Sequence, residues 1–235
     1  MNKAAQKQPI IGIVPTFDDG VVIDAGGAGI ERVYLRRDYL GAISSVGAIP
    51  FIITPEISMD SLQDICDGIV ISGGLDIDPR MYGEEPLPEL REVEPNDRFS
   101  WEKKLIEACD QNGIPILGIC YGLQRLNVHY GGSLIQDIPR ELGVEAIGHD
   151  NTTHPVHFKR EFLGFHPDEE HSVASRHHQA LARLADNISV CATAPDGIIE
   201  AAMFGGRHYG LQWHPESDET GAHVYRIFIE QCMVK

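Results

Sequence analysis

The chain has 235 residues, 43% of them hydrophobic, and a formal net charge of −16 at pH 7. This length and composition allow one large α/β domain or two small ones and exclude a disordered chain. Nucleic acids and anionic membranes bind basic surfaces, so we expect neither as a partner of this acidic chain.

Strands and helices alternate in the first half of the chain. Short β-branched apolar runs predict strands, and 3.6-residue apolar spacing predicts helices. The predicted strands are 9–16, 48–54, 67–74 and 114–119, and the predicted helices are 31–47, 58–66, 99–113 and 121–132. Residues 76–97 are proline-rich and acidic, which indicates a long surface loop of the kind that often forms a lid or binding segment.

The second half of the chain changes to short strands and closes with a helix. The predicted strands are 133–138, 154–158, 188–194, 198–204 and 207–213, and the predicted helix is 218–233. Together the two halves predict a three-layer α/β fold. A mostly parallel central sheet has helices on both faces, and a smaller set of antiparallel strands lies in the C-terminal half. No linker or composition break separates the halves, so we expect residues 1–235 to form a single domain.

Cysteine usage and hydropathy indicate the compartment. The five cysteines are odd in number, scattered and without C-x-x-C spacing, as in a cytoplasmic enzyme with reduced thiols. The longest apolar stretches are strand-sized, and no signal-peptide h-region follows the N-terminus. We therefore expect a cytoplasmic protein. A homodimer is compatible with an enzyme of this size.

One cysteine lies where a predicted strand meets a predicted helix. Gly118-Ile119-Cys120-Tyr121-Gly122 has the form G-x-C-x-G, the thiol counterpart of the nucleophile elbow. At the start of a helix, unpaired N–H groups and the helix dipole favour a thiolate. Cys120 is therefore a candidate nucleophile, the alternative being a tight turn that happens to hold a cysteine.

A candidate base and its orienting partner follow the last predicted strand. In "GLQWHPES", His214 and Glu216 are two residues apart, so an extended segment would put both side chains on the same side. Glu216 could then accept a hydrogen bond from one ring nitrogen and leave the other free to face Cys120. The alternative is a surface turn after a strand.

Backbone donors for an oxyanion are available at a third strand end. Gly73 and Gly74 follow the strand that ends in "ISGG", and the Tyr121 N–H comes directly after the candidate nucleophile. A plain turn would explain the two glycines alone. Open parallel sheets, however, place their sites at the carboxyl ends of strands, where all three parts converge.

Three stretches resemble the class I glutamine amidotransferase-like superfamily and, within it, the peptidase C26 group of γ-glutamyl hydrolases. They are "DGIVISGGLDIDPRMYGEEP", "PILGICYGLQRLNVHYGGSLIQDI" and "VASRHHQALARL…GLQWHPE". The resemblance implies a triad of Cys120, His214 and Glu216. It also implies an oxyanion hole from the Gly74 and Tyr121 N–H groups. One departure is Tyr121, because these relatives commonly carry arginine directly after the nucleophile.

The resemblance also implies which residues hold the substrate. Gln124 and the segment His177-His178-Gln179, together with Gly73, would contact the amino-acid end of a γ-glutamyl group. Gln124 lies four residues after Cys120 and so on the same helical face. Without the resemblance, a helix start that carries two solvated imidazoles would be the preferred interpretation of His177 and His178.

The expected activity is hydrolysis of the γ-glutamyl amide bond of a small compound, such as γ-glutamyl-γ-aminobutyrate, through a γ-glutamyl thioester. One alternative is a glutaminase subunit that supplies ammonia to a separate synthase. Another is a non-catalytic binding or regulatory protein on the same scaffold.

We expect neither a cofactor nor a metal. "HDNTTHPVH" brings His149, Asp150, His154 and His157 close together in sequence, but their spacing matches no zinc pattern, and a loop leading into a strand explains it. No phosphate-binding loop is present, and "GGAG" at 26–29 lacks a fitting helix signature, so no nucleotide site is expected.

Overall fold

A nine-stranded mixed sheet forms the centre of the protein, which a computed structural model describes over residues 7–23, 29–143 and 146–234. In chain order the strands are β1 (Ile10–Val14), β2 (Thr16–Ile23), β3 (Gly29–Tyr34), β4 (Ile49–Ile52), β5 (Gly68–Ile71), β6 (Ile116–Ile119), β7 (Leu134–Ile135), β8 (Thr152–Phe158), β9 (Glu170–Ser175), β10 (Ala180–Leu181), β11 (Ile188–Thr193), β12 (Ile199–Phe204) and β13 (His208–Leu211). The helices are α1 (Arg37–Ser45), α2 (Met59–Ile65), α3 (Asn96–Asn112), α4 (Tyr121–His129), α5 (Ile138–Leu142) and α6 (Gly221–Cys232).

The sheet order is β4-β1-β5-β6-β13-β12-β11-β8-β9. Neighbouring strands are parallel from β4 to β13 and antiparallel from β13 to β9. Helical crossovers join the early strands, and such connections make strand neighbours parallel. The antiparallel strands of the second half continue this sheet rather than form a separate layer. The α/β fold class predicted from the sequence is confirmed.

Two apolar clusters cover the two faces of the sheet. One packs α1 and α6 against the sheet, and the other packs α2, α3 and α4 against the opposite face. Strand β6 shows the period-2 alternation that divides them, with Ile116 in one cluster and Leu117 and Ile119 in the other. This arrangement gives the three layers.

The predicted helix 31–47 is wrong in its first third. Strand β3 occupies 29–34 and pairs antiparallel with β2, and α1 begins only at Arg37. Val33 and Tyr34 are about half exposed, so no buried face selects a helix there. The preceding strand β2 supplies the backbone hydrogen bonds, and the apolar spacing of β3 itself does not reveal this pairing. Most of the glycine stretch 26–29 lies outside the described residues.

The other differences between the predicted and the observed elements are smaller. The segment 76–97 contains a short 3-10 turn at Pro79–Tyr82, begun by Asp78, whose side chain accepts from the Arg80 N–H. The predicted strand 133–138 is the two-residue strand β7 followed by the start of α5. Strands β9 and β10 have no predicted counterpart.

In the described ranges no helix has the length and apolar character needed to cross a membrane.

Candidate active site

Cys120 lies in a strained turn between β6 and α4. Its φ is +52° and its ψ is −104°, a backbone conformation that L-residues rarely adopt. A Cβ on Gly118 would lie 2.5 Å from the carbonyl carbon and oxygen of Gly122, and one on Gly122 would lie 2.3 Å from the Ile71 oxygen. Glycine is therefore required on both sides of the cysteine, and the turn holds the thiol at the carboxyl edge of the sheet.

His214 and Glu216 form a buried pair beside this turn. Strand β13 is the parallel neighbour of β6, so the chain that leaves β13 passes the end of β6. His214 Nδ1 lies 2.7 Å from Glu216 Oε1, and the Glu216 side chain is fully buried. The residues after His214 form a 3-10 turn, Pro215–Ser217, rather than the extended segment that the sequence predicted. The turn nevertheless brings the two side chains together.

The imidazole and the thiol face the same small volume. A Cβ on Gly73 would lie 3.0 Å from His214 Cε1 and 3.8 Å from Cys120 Cβ. An ionised carboxylate only accepts hydrogen bonds, so the contact with Glu216 places the proton on Nδ1 of a neutral ring. Nε2 is then the free basic nitrogen.

Backbone donors are arranged around the thiol. The Gly73 N–H donates to the Tyr39 hydroxyl at 2.9 Å, whereas the Gly74 N–H has no hydrogen-bond partner within the described ranges. The Leu75 N–H donates to Glu94 Oε1 at 2.7 Å, which fixes the turn from behind. Of the two predicted oxyanion donors, Gly74 therefore has a free N–H, whereas the Tyr121 N–H faces the Cys120 sulfur.

Burial favours the neutral form of the Cys120 thiol. Burial raises the pKa of Cys120 to about 12, and the Tyr121 N–H offsets this only in part, while the Glu216 carboxylate adds to the rise. The start of α4 therefore does not by itself produce the thiolate that the sequence suggested. Proton transfer to His214 has to accompany any attack by the sulfur.

Two cavities meet at Cys120. The hairpin-side cavity, about 240 Å³, is lined by Tyr34, Leu35, Arg36, Tyr39 and His214 among others. The glutamine-side cavity, about 330 Å³, is lined by Asp76, Arg91, Glu92, Gln124, His177, His178 and Gln179 among others. Both share Gly74, Leu75, Cys120 and Arg176. A third cavity, about 410 Å³ between β2–β3 and residues 75–96, touches neither Cys120 nor His214.

The predicted substrate residues divide into two groups. Gln124 lines the glutamine-side cavity, with Nε2 donating to the Gln179 carbonyl at 3.1 Å and to Gln212 Oε1 at 3.2 Å. His178 is held between the carboxylates of Asp76, at 2.8 Å, and Asp137, at 3.2 Å. Burial lowers the pKa of His178, but these carboxylates outweigh it, and the pKa is raised.

The other group is turned inward. The Gln179 side chain accepts from the Ile77 N–H at 3.3 Å and so ties its segment to the loop after β5. The His177 ring is buried, with Nε2 3.6 Å from Glu200 Oε1 and Nδ1 2.9 Å from the Gln179 carbonyl. These two residues can contact a ligand mainly through their backbone.

Residues 9–216 match the family model described as Peptidase C26. The chain belongs to the peptidase C26 family. A protein of Mycobacterium tuberculosis, provisionally named a glutamine amidotransferase, is 32% identical over 95% of this chain and 74% of its own length. The γ-glutamyl-γ-aminobutyrate hydrolase of Escherichia coli O157:H7 is 28% identical over 83% of this chain and 84% of its own.

A solved structure from Thermoplasma acidophilum, whose provisional name assigns it to GMP synthase, has the same fold. It superposes with a TM-score of 0.67 at 22% identity and covers 97% of this chain and 95% of its own. This C26 protein is therefore a glutamine amidotransferase-like hydrolase in its family and in its fold.

Tyr121, the departure from the C26 pattern, points away from both cavities. Its hydroxyl donates to Glu102 Oε2 at 2.7 Å, and the Arg98 guanidinium lies 4.2 Å from the ring centre. Arg98 is fully buried and pairs with Glu94 at 2.6 Å and Glu102 at 2.8 Å, while Arg125 pairs with Glu102 at 3.1 Å. The phenol belongs to this buried charge cluster, so the residue after the nucleophile does not contact the ligand space through its side chain.

Two residues of this C26 site were missed from the sequence. Arg176 lines both cavities, and its Nη2 lies 2.8 Å from Ser217 Oγ and 3.4 Å from Glu216 Oε1. Tyr39 accepts from the Gly73 N–H, and burial, with the nearby Glu216 carboxylate, raises its pKa well above 10.0. Arg176 directly precedes the "HHQ" motif, which is the signal that could have identified it.

Proposed function

We propose that this protein is a cysteine-dependent hydrolase that cleaves the γ-glutamyl amide bond of a small compound such as γ-glutamyl-γ-aminobutyrate. One observation carries the proposal. The Cys120 thiol, in a strained strand–helix turn, lines the same cavity as His214. Nδ1 of His214 is hydrogen-bonded to the buried Glu216 carboxylate at 2.7 Å, which leaves Nε2 free. Membership of the C26 family and the hydrolase relative in Escherichia coli support it.

The first half of the reaction uses groups already in place. His214 Nε2 takes the proton of the neutral Cys120 thiol as the sulfur attacks the γ-carbonyl carbon. The carbonyl π electrons move to the oxygen, and the Gly74 and Tyr121 N–H groups stabilise that oxyanion. Glu216 stabilises the imidazolium that forms.

The second half of the reaction releases the amine and then hydrolyses the thioester. His214 lines the hairpin-side cavity and not the glutamine-side cavity, so the imidazolium donates its proton to an amine in the hairpin-side cavity. The C–N bond breaks, and a γ-glutamyl thioester remains on Cys120. Neutral His214 then takes a proton from water as the water oxygen attacks the thioester carbonyl carbon. The C–S bond breaks, the imidazolium returns the proton to the Cys120 sulfur, and glutamate is released.

The glutamine-side cavity suits the amino-acid end of the substrate. A γ-glutamyl group carries an α-carboxylate and an α-ammonium group, and both need partners. The lining provides the cations Arg91 and Arg176 and the carboxylates Asp76 and Glu92. Gln124 lines the same cavity.

Charge in the hairpin-side cavity selects the amine. Its described lining contains Arg36 and Arg176 and no aspartate or glutamate. A diamine leaving group would bring an ammonium against these guanidinium groups, whereas γ-aminobutyrate would bring a carboxylate. We therefore expect γ-glutamyl-γ-aminobutyrate to be hydrolysed faster than γ-glutamylputrescine.

The test is glutamate release by the purified full chain from γ-glutamyl-γ-aminobutyrate, γ-glutamylputrescine and glutamine. Cys120→Ala should abolish release, and Cys191→Ala, which alters a buried cysteine outside both cavities, should retain it. Activity retained in Cys120→Ala would refute the mechanism. A strong preference for glutamine that increases with a synthase partner would replace the proposal with the glutaminase subunit. No turnover of any substrate, with a Cys120 inert to alkylation, would indicate a non-catalytic scaffold.

A further inference from the structure

A cluster of three histidines and one glutamate is buried behind the glutamine-side cavity. Its members are His149 before β8, His154 in β8, His177 after β9 and Glu200 in β12. Their side chains are between 0% and 4% exposed. Each offers one ligand atom, and these atoms all lie within 4.8 Å of one another. The reaction proposed above uses none of these side chains.

Each histidine is oriented by an oxygen on its other ring nitrogen. His149 Nε2 lies 2.9 Å from the Asp196 carboxylate. His154 Nδ1 lies 3.1 Å from the Pro155 carbonyl, and His177 Nδ1 lies 2.9 Å from the Gln179 carbonyl. A histidine that binds a metal nearly always donates its second ring N–H to a carboxylate or a carbonyl in this way.

The nitrogen and oxygen atoms that face the centre of the cluster can accept hydrogen bonds, but no donor faces them among the described residues. With the outer nitrogens protonated, His149 Nδ1, His154 Nε2 and His177 Nε2 each present a lone pair. All three, and both oxygens of Glu200, are buried without a hydrogen-bond partner among the residues that the structure describes. Lone pairs aimed at a buried carboxylate repel one another unless a cation lies between them.

The three distances from Glu200 to the histidines are close to those expected between ligands of tetrahedral zinc. Glu200 Oε1 lies 3.4 Å from His149 Nδ1, 3.5 Å from His154 Nε2 and 3.6 Å from His177 Nε2. Ligands at about 2.0–2.1 Å from a tetrahedral zinc ion are about 3.3–3.4 Å apart. Imidazole nitrogens and one carboxylate oxygen are ligands that zinc accepts.

We propose that His149, His154, His177 and Glu200 bind one Zn²⁺ ion. Four protein ligands complete the coordination and leave no position for water or substrate, so the site is structural rather than catalytic. The ion would join β8 and β12 to the segment that carries His178 and Gln179 into the glutamine-side cavity. The expectation of no metal considered only ligands close together in sequence, whereas His177 and Glu200 come from distant parts of the chain.

The experiment compares zinc content and zinc affinity in the full-length protein and in two variants of the same strand. The wild type should contain about one zinc per chain after dialysis against the metal and gel filtration. His154→Gln should lower zinc affinity by at least about 100-fold. Loss of a group that only hydrogen-bonds the second nitrogen of a ligand histidine costs less, about 10–100-fold. His157→Gln is the matched control, because His157 lies in β8 with about half of its side chain exposed. It should bind zinc as the wild type does.

Two further measurements keep the test decisive if His154→Gln does not fold. Co²⁺ added to the chelator-treated wild type should give the visible absorption bands of a tetrahedral nitrogen–oxygen site, and Zn²⁺ should abolish them. Asp196→Asn removes the carboxylate behind His149 and should weaken zinc binding by about 10–100-fold. Wild-type protein that binds neither ion overturns the proposal, as does equal zinc affinity in His154→Gln and His157→Gln.

Discussion

Replacing Arg98 with methionine should destabilise the protein strongly, because it leaves the buried charge cluster with one uncompensated negative charge. Arg98 is fully buried and bonds Glu94 at 2.6 Å and Glu102 at 2.8 Å. Without it, Glu102 keeps Arg125 and the Tyr121 hydroxyl, but Glu94 keeps only the Leu75 N–H. Removing one partner of a buried ion pair costs about 3–5 kcal/mol. For a chain of this size that lowers Tm by about 6–20 °C.

The assay is urea unfolding of wild type, Arg98→Met and Lys103→Met. Lys103 makes the same i,i+4 type of ion pair on the same helix, with Glu107, but both side chains are exposed, so its removal should have no measurable effect. An Arg98→Met midpoint no lower than that of Lys103→Met would refute the reasoning.

The cost of Arg98→Met should also depend on pH. Burial raises the pKa of Glu94, and the positive charge of Arg98 opposes that rise. Removing the Arg98 charge therefore raises the pKa of Glu94 further. Between the Glu94 pKa of the unfolded chain and that of the folded variant, the folded variant holds a proton that the unfolded chain has released. The free energy of unfolding of the variant therefore falls as pH rises through this range. The deficit measured at about pH 5 should therefore be smaller than that at about pH 8. A deficit independent of pH would mean that Glu94 stays ionised in the variant.

Three further predictions concern the candidate site. Because burial raises the pKa of the Cys120 thiol to about 12, its alkylation by iodoacetamide should accelerate as pH rises from about 7 to 9. A rate already constant there would show a preformed thiolate. Glu216→Gln should lower kcat by about 10²–10⁴-fold with the fold intact, since an amide no longer fixes the His214 tautomer; kcat within a few-fold of wild type would contradict the triad. Tyr39→Phe leaves the half-buried Gly73 N–H without its acceptor and should cost about 0.5–1.5 kcal/mol in urea unfolding. Unchanged stability would mean that the hydroxyl does not hold this turn.

The features that were predicted correctly depend on short-range patterns. The apolar runs of β1, β5 and β6 are continuous because both faces of these strands are covered, and that pattern is visible in any window of the sequence. Cys120 was identifiable because the elbow needs glycine at two fixed positions. His214 and Glu216 were placed together correctly but for the wrong reason, since a 3-10 turn and not an extended segment joins them.

The features that were missed depend on pairing partners rather than on the spacing of their own residues. β3 is a strand only because β2 pairs with it, and its exposed side chains carry no apolar pattern that would say so. The histidine–glutamate cluster combines residues from β8, β12 and the loop after β9, so no local spacing can reveal it. Arg176 contacts Glu216 and Ser217 across forty residues of sequence.

The thiol and the imidazole are carried by adjacent parallel strands inside the sheet. Three register pairs join β13 to β6, from Tyr209 with Leu117 to Leu211 with Ile119, and the Cys120 N–H donates to the Leu211 carbonyl at 2.7 Å. The ladder thus anchors the two chain segments that carry these groups, one residue before Cys120 and three residues before His214. Heating should therefore abolish turnover and far-ultraviolet circular dichroism over the same temperature interval. Inactivation well before the loss of ellipticity would locate the weak point outside this ladder.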